Sequence, residues 1–353
     1  MPEQDRAKIT AVIPAHNEVG ALPGTIASLR AQTRQPDRIL VVSDESTDHT
    51  VAIAEAFGVE VMETVDNTAR KAGALNQALE IVEPQGFVLV MDADTQIVPD
   101  FIERALEELR DPVVGGVGAV FYGDRPTGYL ELCQYLEWVR YAEQLERTGK
   151  TFVMSGTAAL IRWAALKDVE SRFGSIYDEA TITEDMRLTM TLRECGWQVR
   201  SPAECQSTTE TMPNVPTLWL QRRRWYLGAL QNISEMGWTR VTQRYIVQQF
   251  MLALSVVLMS TLVVLTTASY AINGFVWVEP AWLLIGGIFA LERVVTVWDQ
   301  PWRYRIFAAL VLPELIYALI LQSAYVGAVW QKLNSSQGVW AHLGAPRMTE
   351  GGV

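Results

Sequence analysis

Apolar runs and helical patterns alternate over the first 200 residues of the chain. Three apolar runs, Ile9–Pro14, Arg38–Ser43 and Phe87–Met91, predict strands, and Val59–Glu63 predicts a shorter one. Helical patterns lie between them, over Gly20–Ala31, Thr50–Phe57 and Gly73–Ile81. This alternation predicts βαβ units and an α/β fold with a mainly parallel sheet. Ligands bind such sheets at the carboxyl ends of the strands, where Asp44 and Asp92 both fall.

The pattern changes after residue 244, where long apolar segments replace the alternation. Tyr245–Ile272 has 28 residues without a charge, which is long enough to cross the ~30 Å hydrocarbon core of a bilayer. We predict a transmembrane helix there. Ala281–Trp298 contains Glu292 and Arg293, and Ile306–Trp330 contains Glu314 next to Pro313. The membrane region therefore has two or three hydrophobic segments.

The loops between these segments indicate the orientation. Asn273–Pro280 has no Lys or Arg, whereas Asp299–Arg305 has two, which places the second loop and the N-terminal domain in the cytosol. The polar start of the chain predicts no signal peptide, in agreement with this orientation. The third segment either spans or re-enters at Pro313, and the two readings put the tail on opposite sides. Intramembrane charges usually face protein, so neighbouring segments or a homo-oligomer are expected around Glu292 and Arg293, which should not pair with each other.

Residues 206–244 form a boundary region that mixes Trp, Leu and Arg. This composition favours helices at a membrane surface, and a soluble helix covering the sheet is the alternative. The predicted organisation is a catalytic domain over 1–205, interfacial helices over 206–244, a membrane region over 245–330 and a tail over 331–353. The net charge of −11 argues against a nucleic-acid partner, because neutralising phosphates requires a basic surface.

Three short motifs contain residues suited to chemistry. Asp92-Ala93-Asp94 follows a buried strand and can bind a divalent cation, although Asp also ends strands through turn chemistry. Glu184 and Asp185 begin a helical pattern, where they serve either as ordinary N-terminal carboxylates or as a general base. Gln221–Trp225 sets three guanidinium groups beside an indole, which suits a diphosphate and a sugar ring or an anionic membrane surface.

The order of the motifs is more specific than any one of them. They are Pro14-Ala15-His16-Asn17-Glu18, Asp44-Glu45-Ser46-Thr47-Asp48, Lys71-Ala72-Gly73-Ala74-Leu75-Asn76, Asp92-Ala93-Asp94, Thr183-Glu184-Asp185 and Gln221-x-x-Arg224-Trp225. In this order they resemble the family 2 glycosyltransferases, in the branch with cellulose, chitin and hyaluronan synthases. The resemblance extends over about residues 8–235.

The resemblance implies a GT-A fold and a role for each matched residue. Pro14, Glu18, Asp44, Lys71, Asp92 and Arg224 would bind a nucleoside-diphosphate sugar, with UDP as the expected nucleotide. Asp94 would bind Mg²⁺ or Mn²⁺, Asp185 would be the catalytic base, and Trp225 would border the acceptor. The expected enzyme is an inverting hexosyltransferase of the cytoplasmic membrane that makes a β-linked oligo- or polysaccharide.

Two alternatives stay open at this point. Large polysaccharide synthases have more transmembrane helices than are seen here, which favours a non-processive enzyme that adds one sugar to a lipid carrier or glycolipid. An inactive membrane scaffold is the other alternative, but such a protein is expected to have lost its site carboxylates, and all of them are present.

Overall fold

A seven-stranded sheet forms the centre of the catalytic domain. The computed structural model describes residues 7–82, 86–274 and 280–334. The strands of this sheet are β1 (Ile9–Ala15), β2 (Arg38–Ser43), β3 (Glu60–Glu63), β4 (Phe87–Met91), β6 (Val114–Gly118), β8 (Ala158–Arg162) and β9 (Gln198–Arg200). Their order is β3-β2-β1-β4-β8-β6-β9, and only β8 runs antiparallel to its neighbours β4 and β6. The predicted α/β fold with a mainly parallel sheet is confirmed.

Both faces of the sheet are covered by helices. These are α1 (Leu22–Arg30), α2 (Thr50–Ala56), α3 (Arg70–Ile81), α4 (Phe101–Glu108), α6 (Trp163–Phe173) and α7 (Glu184–Glu194). In β4, alternate residues point to opposite faces: Phe87, Leu89 and Met91 pack with α1, α2 and α4, while Val88 and Val90 pack with α3, α6 and α7. Two cores result, which explains why the strands are apolar throughout.

A small second sheet lies beside the main one. It has the order β5-β10-β7, formed by β5 (Gln96–Ile97), β7 (Val120–Gly123) and β10 (Gln206–Thr209). β10 begins one residue past the boundary predicted at 205, yet it pairs with two strands of the preceding domain. It places Glu210 at the edge of the site described below.

Helix α5 (Tyr129–Thr148) joins the catalytic domain to the helices that follow it in the chain. The Tyr135 hydroxyl donates to Gln300 at 2.9 Å, and the Tyr129 hydroxyl donates to the Pro313 carbonyl at 2.5 Å. Arg140 forms an ion pair with Glu314 at 2.8 Å, and Glu314 also lies 3.2 Å from Arg293. One buried carboxylate is thus shared by two guanidinium groups from different helices.

The C-terminal helices are α8 (Val215–Met236), α9 (Thr242–Asn273), α10 (Pro280–Val295), α11 (Trp302–Ala309) and α12 (Leu312–Asn334). Within the described ranges, α9 and α12 are the two helices long and apolar enough to cross a membrane. The predicted segment Ile306–Trp330 is divided between α11 and α12, with Val311 at a φ of 53° between them. The tail from residue 335 onward and part of the loop 273–280 lie outside the described residues.

The expectation that Glu292 and Arg293 do not pair is wrong in one respect. Their charged groups lie 3.7 Å apart, but the closer partner of Arg293 is Glu314, at 3.2 Å. Neighbouring positions on a helix point about 100° apart, so the long Arg side chain bends between the two carboxylates. Arg293 therefore contacts protein, whereas the Glu292 side chain is half-exposed.

Candidate active site

The Lys71 side chain lies at the centre of the site. Lys71 is the second residue of α3. Its Nζ is 2.5 Å from Asp92 Oδ1 and 2.9 Å from Glu184 Oε1. Burial acts to lower the pKa of Lys71, but Asp92 and Glu184 outweigh it and hold that pKa well above its usual value. Three residues distant in sequence are thereby brought together around one ammonium group.

The backbone of one residue, Gly156, connects Lys71 to Asp185. The Gly156 carbonyl accepts a hydrogen bond from Lys71 Nζ at 3.4 Å, and the Gly156 N–H donates to Asp185 Oδ2 at 3.1 Å. The other carboxylate oxygen, Oδ1, accepts from the Met186 N–H at 2.7 Å. A Cβ at position 156 would lie 3.2 Å from Lys71 Nζ and 3.3 Å from Asp185 Oδ2, so the close approach favours glycine.

Burial and neighbouring charges give the two carboxylates at the start of α7 different pKa values. Burial followed by repulsion from Glu184 raises the pKa of Asp185 to about 6, although Lys71 opposes the shift. Burial also acts to raise the pKa of Glu184, but Lys71 outweighs it and the pKa falls below its usual value. Asp185 therefore has a pKa suited to a general base near neutral pH, whereas Glu184 stays ionised.

A second group of carboxylates lies around Asp94. Burial and the charges of Asp94, Glu210 and Asp92 raise the pKa of Glu18 to about 7. Burial also raises the pKa of Asp94, with Glu210 adding to the shift. Oxygen ligands and unbalanced negative charge fit a hard divalent cation. Within the described residues no three such side chains converge tightly enough for a complete metal site, so the donor would have to supply ligands.

Asp44 and Pro14 lie at the same edge of the sheet. The Asp44 carboxylate follows β2 and accepts hydrogen bonds from Thr64 at 2.8 Å and Asn67 at 2.7 Å. Pro14 is in β1 and is paired in register with Val42 of β2. Both positions suit a nucleoside bound at the strand ends.

The arginines of α8 face different surroundings. Arg222 is 4% exposed, pairs with Glu137 at 2.9 Å and lies 4.4 Å over the Trp225 ring. Arg224 and Trp225 line the central cavity. Burial, followed by repulsion from Arg224, lowers the pKa of Arg70. A pair of guanidinium groups that repel each other suits a diphosphate, whose negative charge offsets the repulsion.

The site is open to a cavity of about 850 Å³. Its wall includes Lys71, Asp92, Asp94, Glu184, Asp185, Arg224 and Trp225. It continues to Gln248 and Gln249 of α9 and to Glu292, Arg293 and Thr296 of α10. A ligand in the cavity can therefore contact Asp185 and the C-terminal helices together.

Three residues of the site are missed by the sequence motifs. Arg70 directly precedes Lys71 and has a φ of 56°, a left-handed conformation that only the fold reveals. Gly156 lies in the segment Ser155-Gly156-Thr157, which belongs to none of the six motifs. Glu210 follows a strand only four residues long, and no periodic pattern indicated it.

Comparisons of the sequence and of the fold with known proteins both find glycosyltransferases. Residues 10–170 match the family described as Glycosyl transferase family 2. An uncharacterized glycosyltransferase of Escherichia coli K12 is 29% identical over 64% of this chain and 58% of its own length. A probable glucomannan 4-beta-mannosyltransferase of Oryza sativa is 30% identical over 64% of this chain and 43% of its own. The chain thus spans about half the length of these two relatives.

Two further comparisons extend over more of the chain. A beta-monoglucosyldiacylglycerol synthase of Synechocystis is 25% identical over 84% of this chain and 66% of its own length. The solved structure of a Pyrobaculum calidifontis mannosyltransferase, in complex with GDP-Man and Mn²⁺, has a TM-score of 0.64 and 18% identity. It covers 94% of this chain and 88% of its own, and it shows that the fold is the predicted GT-A fold. Over residues 10–170, somewhat less than half of its length, the chain resembles the family 2 glycosyl transferases.

Proposed function

We propose that the chain is a membrane-bound, inverting hexosyltransferase that transfers a sugar from a nucleoside-diphosphate donor to an acceptor hydroxyl and builds a β-linked oligo- or polysaccharide. The observation that carries the proposal is the shared cavity, in which Asp185 lies with Lys71 and Arg224. A base of raised pKa and cations for a leaving diphosphate are the groups that a single displacement requires.

In the proposed reaction, Asp185 takes the proton of the acceptor hydroxyl. The hydroxyl oxygen forms the new bond to the anomeric carbon as the bond to the diphosphate breaks, and the electron pair leaves with the diphosphate. Two backbone N–H groups fix the Asp185 carboxylate, leaving its remaining lone pairs for the acceptor. Attack opposite the leaving group inverts the anomeric carbon, so an α-linked donor gives a β-linked product.

Three positively charged side chains are assigned to the binding of the donor diphosphate. Arg70, Lys71 and Arg224 would bind the diphosphate oxygens, and the negative charge would relieve the repulsion between Arg70 and Arg224. Asp94, with the charge of Glu210 near it, would hold Mg²⁺ or Mn²⁺ together with the donor, and the metal would supply charge neutralisation for the departing diphosphate. UDP-sugars and GDP-mannose are the donors to test first.

The membrane part of the proposal rests on α9. Only 6% of its apolar window is buried, and residues such as Val264 and Leu265 are more than 60% exposed. A soluble monomer rarely exposes an apolar surface of this extent, whereas a bilayer would cover it. The cavity reaches α9 and α10, so an acceptor entering from the membrane side would arrive beside Asp185.

The test is a screen for release of nucleoside diphosphate by the full chain in detergent. UDP-glucose, UDP-N-acetylglucosamine and GDP-mannose are each supplied with Mg²⁺ or Mn²⁺. We expect release with at least one donor, loss of release with a chelator, and a ~10²–10⁴-fold lower rate in Asp185→Asn. Asp168→Asn, at an exposed carboxylate that accepts from the partly buried Trp197 indole, is the matched control. Equal rates for Asp185→Asn and the unchanged protein would contradict the mechanism.

Product sizing separates polymer from glycolipid. The second candidate is transfer of one sugar to a lipid, favoured by the alignment with the diacylglycerol-glucosylating relative over 84% of the chain. With a radiolabelled donor, products longer than one sugar support the first proposal, and a monosaccharide-lipid as the sole product replaces it with the second.

A further inference from the structure

Two buried threonines lie just before Glu184 and Asp185. Thr181 and Thr183 are each 8% exposed, and Thr183 is the N-cap residue of α7, the helix that begins with the two carboxylates. A threonine at an N-cap commonly accepts a hydrogen bond from the first turn of its own helix, but Thr183 makes no such bond. Its side chain is bonded to helix α8 instead.

The partner of both threonines is Asn232, which is fully buried on α8. The Thr181 hydroxyl donates to Asn232 Oδ1 at 3.0 Å. Asn232 Nδ2 donates to the Thr183 hydroxyl oxygen at 3.0 Å and to the Thr183 carbonyl at 3.4 Å. Buried hydrogen bonds with fixed donors and acceptors select one arrangement of two segments, which an apolar contact of the same size would not do.

Gly228 lets the two segments approach closely. It lies one helical turn before Asn232, and a Cβ at this position would lie less than 3.0 Å from three atoms of the Thr183 side chain. A side chain larger than hydrogen would therefore push the start of α7 away from α8.

The face of α8 that contains Asn232 also contributes to the cavity. Trp225 precedes Asn232 by seven residues, or two turns, so both residues lie on the same side of the helix. Trp225 and Arg224 line the cavity from α8, and Asp185 lines it from α7. One helix thus contacts the cavity and, two turns later, binds the segment that leads to the proposed base.

Other contacts hold α8 in place independently of Asn232. The Trp219 indole N–H donates to Ser323 of α12 at 3.0 Å, and the buried Arg222 is paired with a carboxylate of α5. Loss of the Asn232 hydrogen bonds should therefore release the segment Thr181–Asp185 and leave α8 where it is.

We infer that Asn232 is a positioning residue, which through Thr183 sets where the Asp185 carboxylate lies relative to Arg224. The inference rests on the proposed function and refines it, since Asn232 acts through Thr183 and not on the substrates. A displacement of about 1 Å between a base and the groups that bind the leaving group can cost roughly 10²-fold in rate. The effect belongs to kcat, because the diphosphate residue Arg224 stays with α8.

The test compares Asn232→Ala with Gln32→Ala. Gln32 is a buried amide just after α1 that also makes three hydrogen bonds, so both variants should lower Tm. We expect Asn232→Ala to lower kcat about 10–100-fold and to leave the donor KM nearly unchanged, and Gln32→Ala to leave both constants unchanged. Equal kcat values in the two variants would overturn the inference, because Asn232 would then contribute to stability alone.

Gly228→Ala tests the contact with Thr183 by a second route. It removes no hydrogen-bonding group and should lower kcat by displacing Thr183. Thr183→Ala removes two of the three nearest atoms that the new Cβ would meet. Gly228→Ala should therefore lower kcat by a smaller factor in the Thr183→Ala background than in the unchanged protein. Equal factors in the two backgrounds would contradict the proposed contact.

Hydrogen exchange of the full chain in detergent decides the inference even if no donor is turned over. The N–H groups of Gly156 and Met186 donate to the Asp185 carboxylate, so their exchange shows whether that carboxylate keeps its place. Asn232→Ala should speed their exchange about tenfold, whereas Gln32→Ala should leave it unchanged. Unchanged exchange in Asn232→Ala would overturn the positioning role, and a lack of turnover in the unchanged protein would count against the proposed function alone.

Discussion

The titration of Asp185 makes the proposed reaction dependent on pH. Its pKa of about 6 belongs to a base that acts when deprotonated, so kcat/KM should rise about tenfold from pH 5 to pH 7 and level off above. The pKa of Asp92 is also raised to about 6, mainly by burial. Donor affinity is therefore measured over the same pH range, to separate weaker donor binding from loss of the base. A flat kcat/KM between pH 5 and pH 7 would contradict the assignment.

Replacing Lys71 tests whether one ammonium group holds the site together. Lys71→Met leaves Asp92 and Glu184 facing each other without a partner, which should lower the free energy of unfolding by about 2–4 kcal/mol and abolish donor binding. Lys167→Met, which breaks a surface pair with Glu170, is the control and should cost less than about 1 kcal/mol. Equal effects in chemical unfolding would show that the central cluster is not structurally important.

Residues at strand ends could be predicted because chain position alone determines where they lie. Asp44 and Asp92 follow apolar runs, and parallel strands bring such ends to one edge of the sheet. The contacts of Lys71 with Glu184 and of Gly156 with Asp185 join segments 113 and 29 residues apart. No periodicity encodes such distances, which is why the motifs do not include Gly156.

Among the elements, α5 and β8 show the limits of sequence patterns. β8 is as apolar as its neighbours, and an apolar run does not tell whether a strand runs parallel or antiparallel. The 20 residues of α5 include four Glu and three Tyr, and Tyr129, Tyr135 and Glu137 bond to the C-terminal part of the chain, so no single apolar stripe identifies the helix. The boundaries of β2 and β4, by contrast, were predicted to the residue, since turn residues follow both.

Glu314 should be the main link between the catalytic domain and the C-terminal helices. Glu314→Gln removes the charge that Arg140 and Arg293 share, and should lower the free energy of unfolding by about 2–3 kcal/mol and increase proteolysis between α10 and α12. Glu292→Gln, at a half-exposed position 3.7 Å from Arg293, is the control, and we expect less than about 0.5 kcal/mol. Thermal unfolding in detergent measures both variants, and equal shifts would refute the link.

At the scale of the whole molecule, the orientation in the membrane can be tested with cysteines. Cys133 and Cys205 are buried, so replacing the partly exposed Cys195 by Ser should leave little labelling of the native cysteines. In intact cells, a membrane-impermeant maleimide should label Asn273→Cys at the end of α9 and spare Lys167→Cys on the catalytic domain. Lysis should expose both. Labelling of Lys167→Cys before lysis would contradict the cytosolic placement of the catalytic domain.

Helix α5 connects one wall of the cavity to the apolar helices. It contains Trp138 and Tyr141, and through Arg140 it is joined to Glu314 on α12. A tilt of α9, α10 or α12 that adapts the protein to a thinner or thicker bilayer will therefore move the wall of the cavity that α5 forms. We expect the acceptor KM, and not the donor KM, to vary with acyl-chain length in nanodiscs. The lipid composition of the host membrane would then help to set the rate of synthesis.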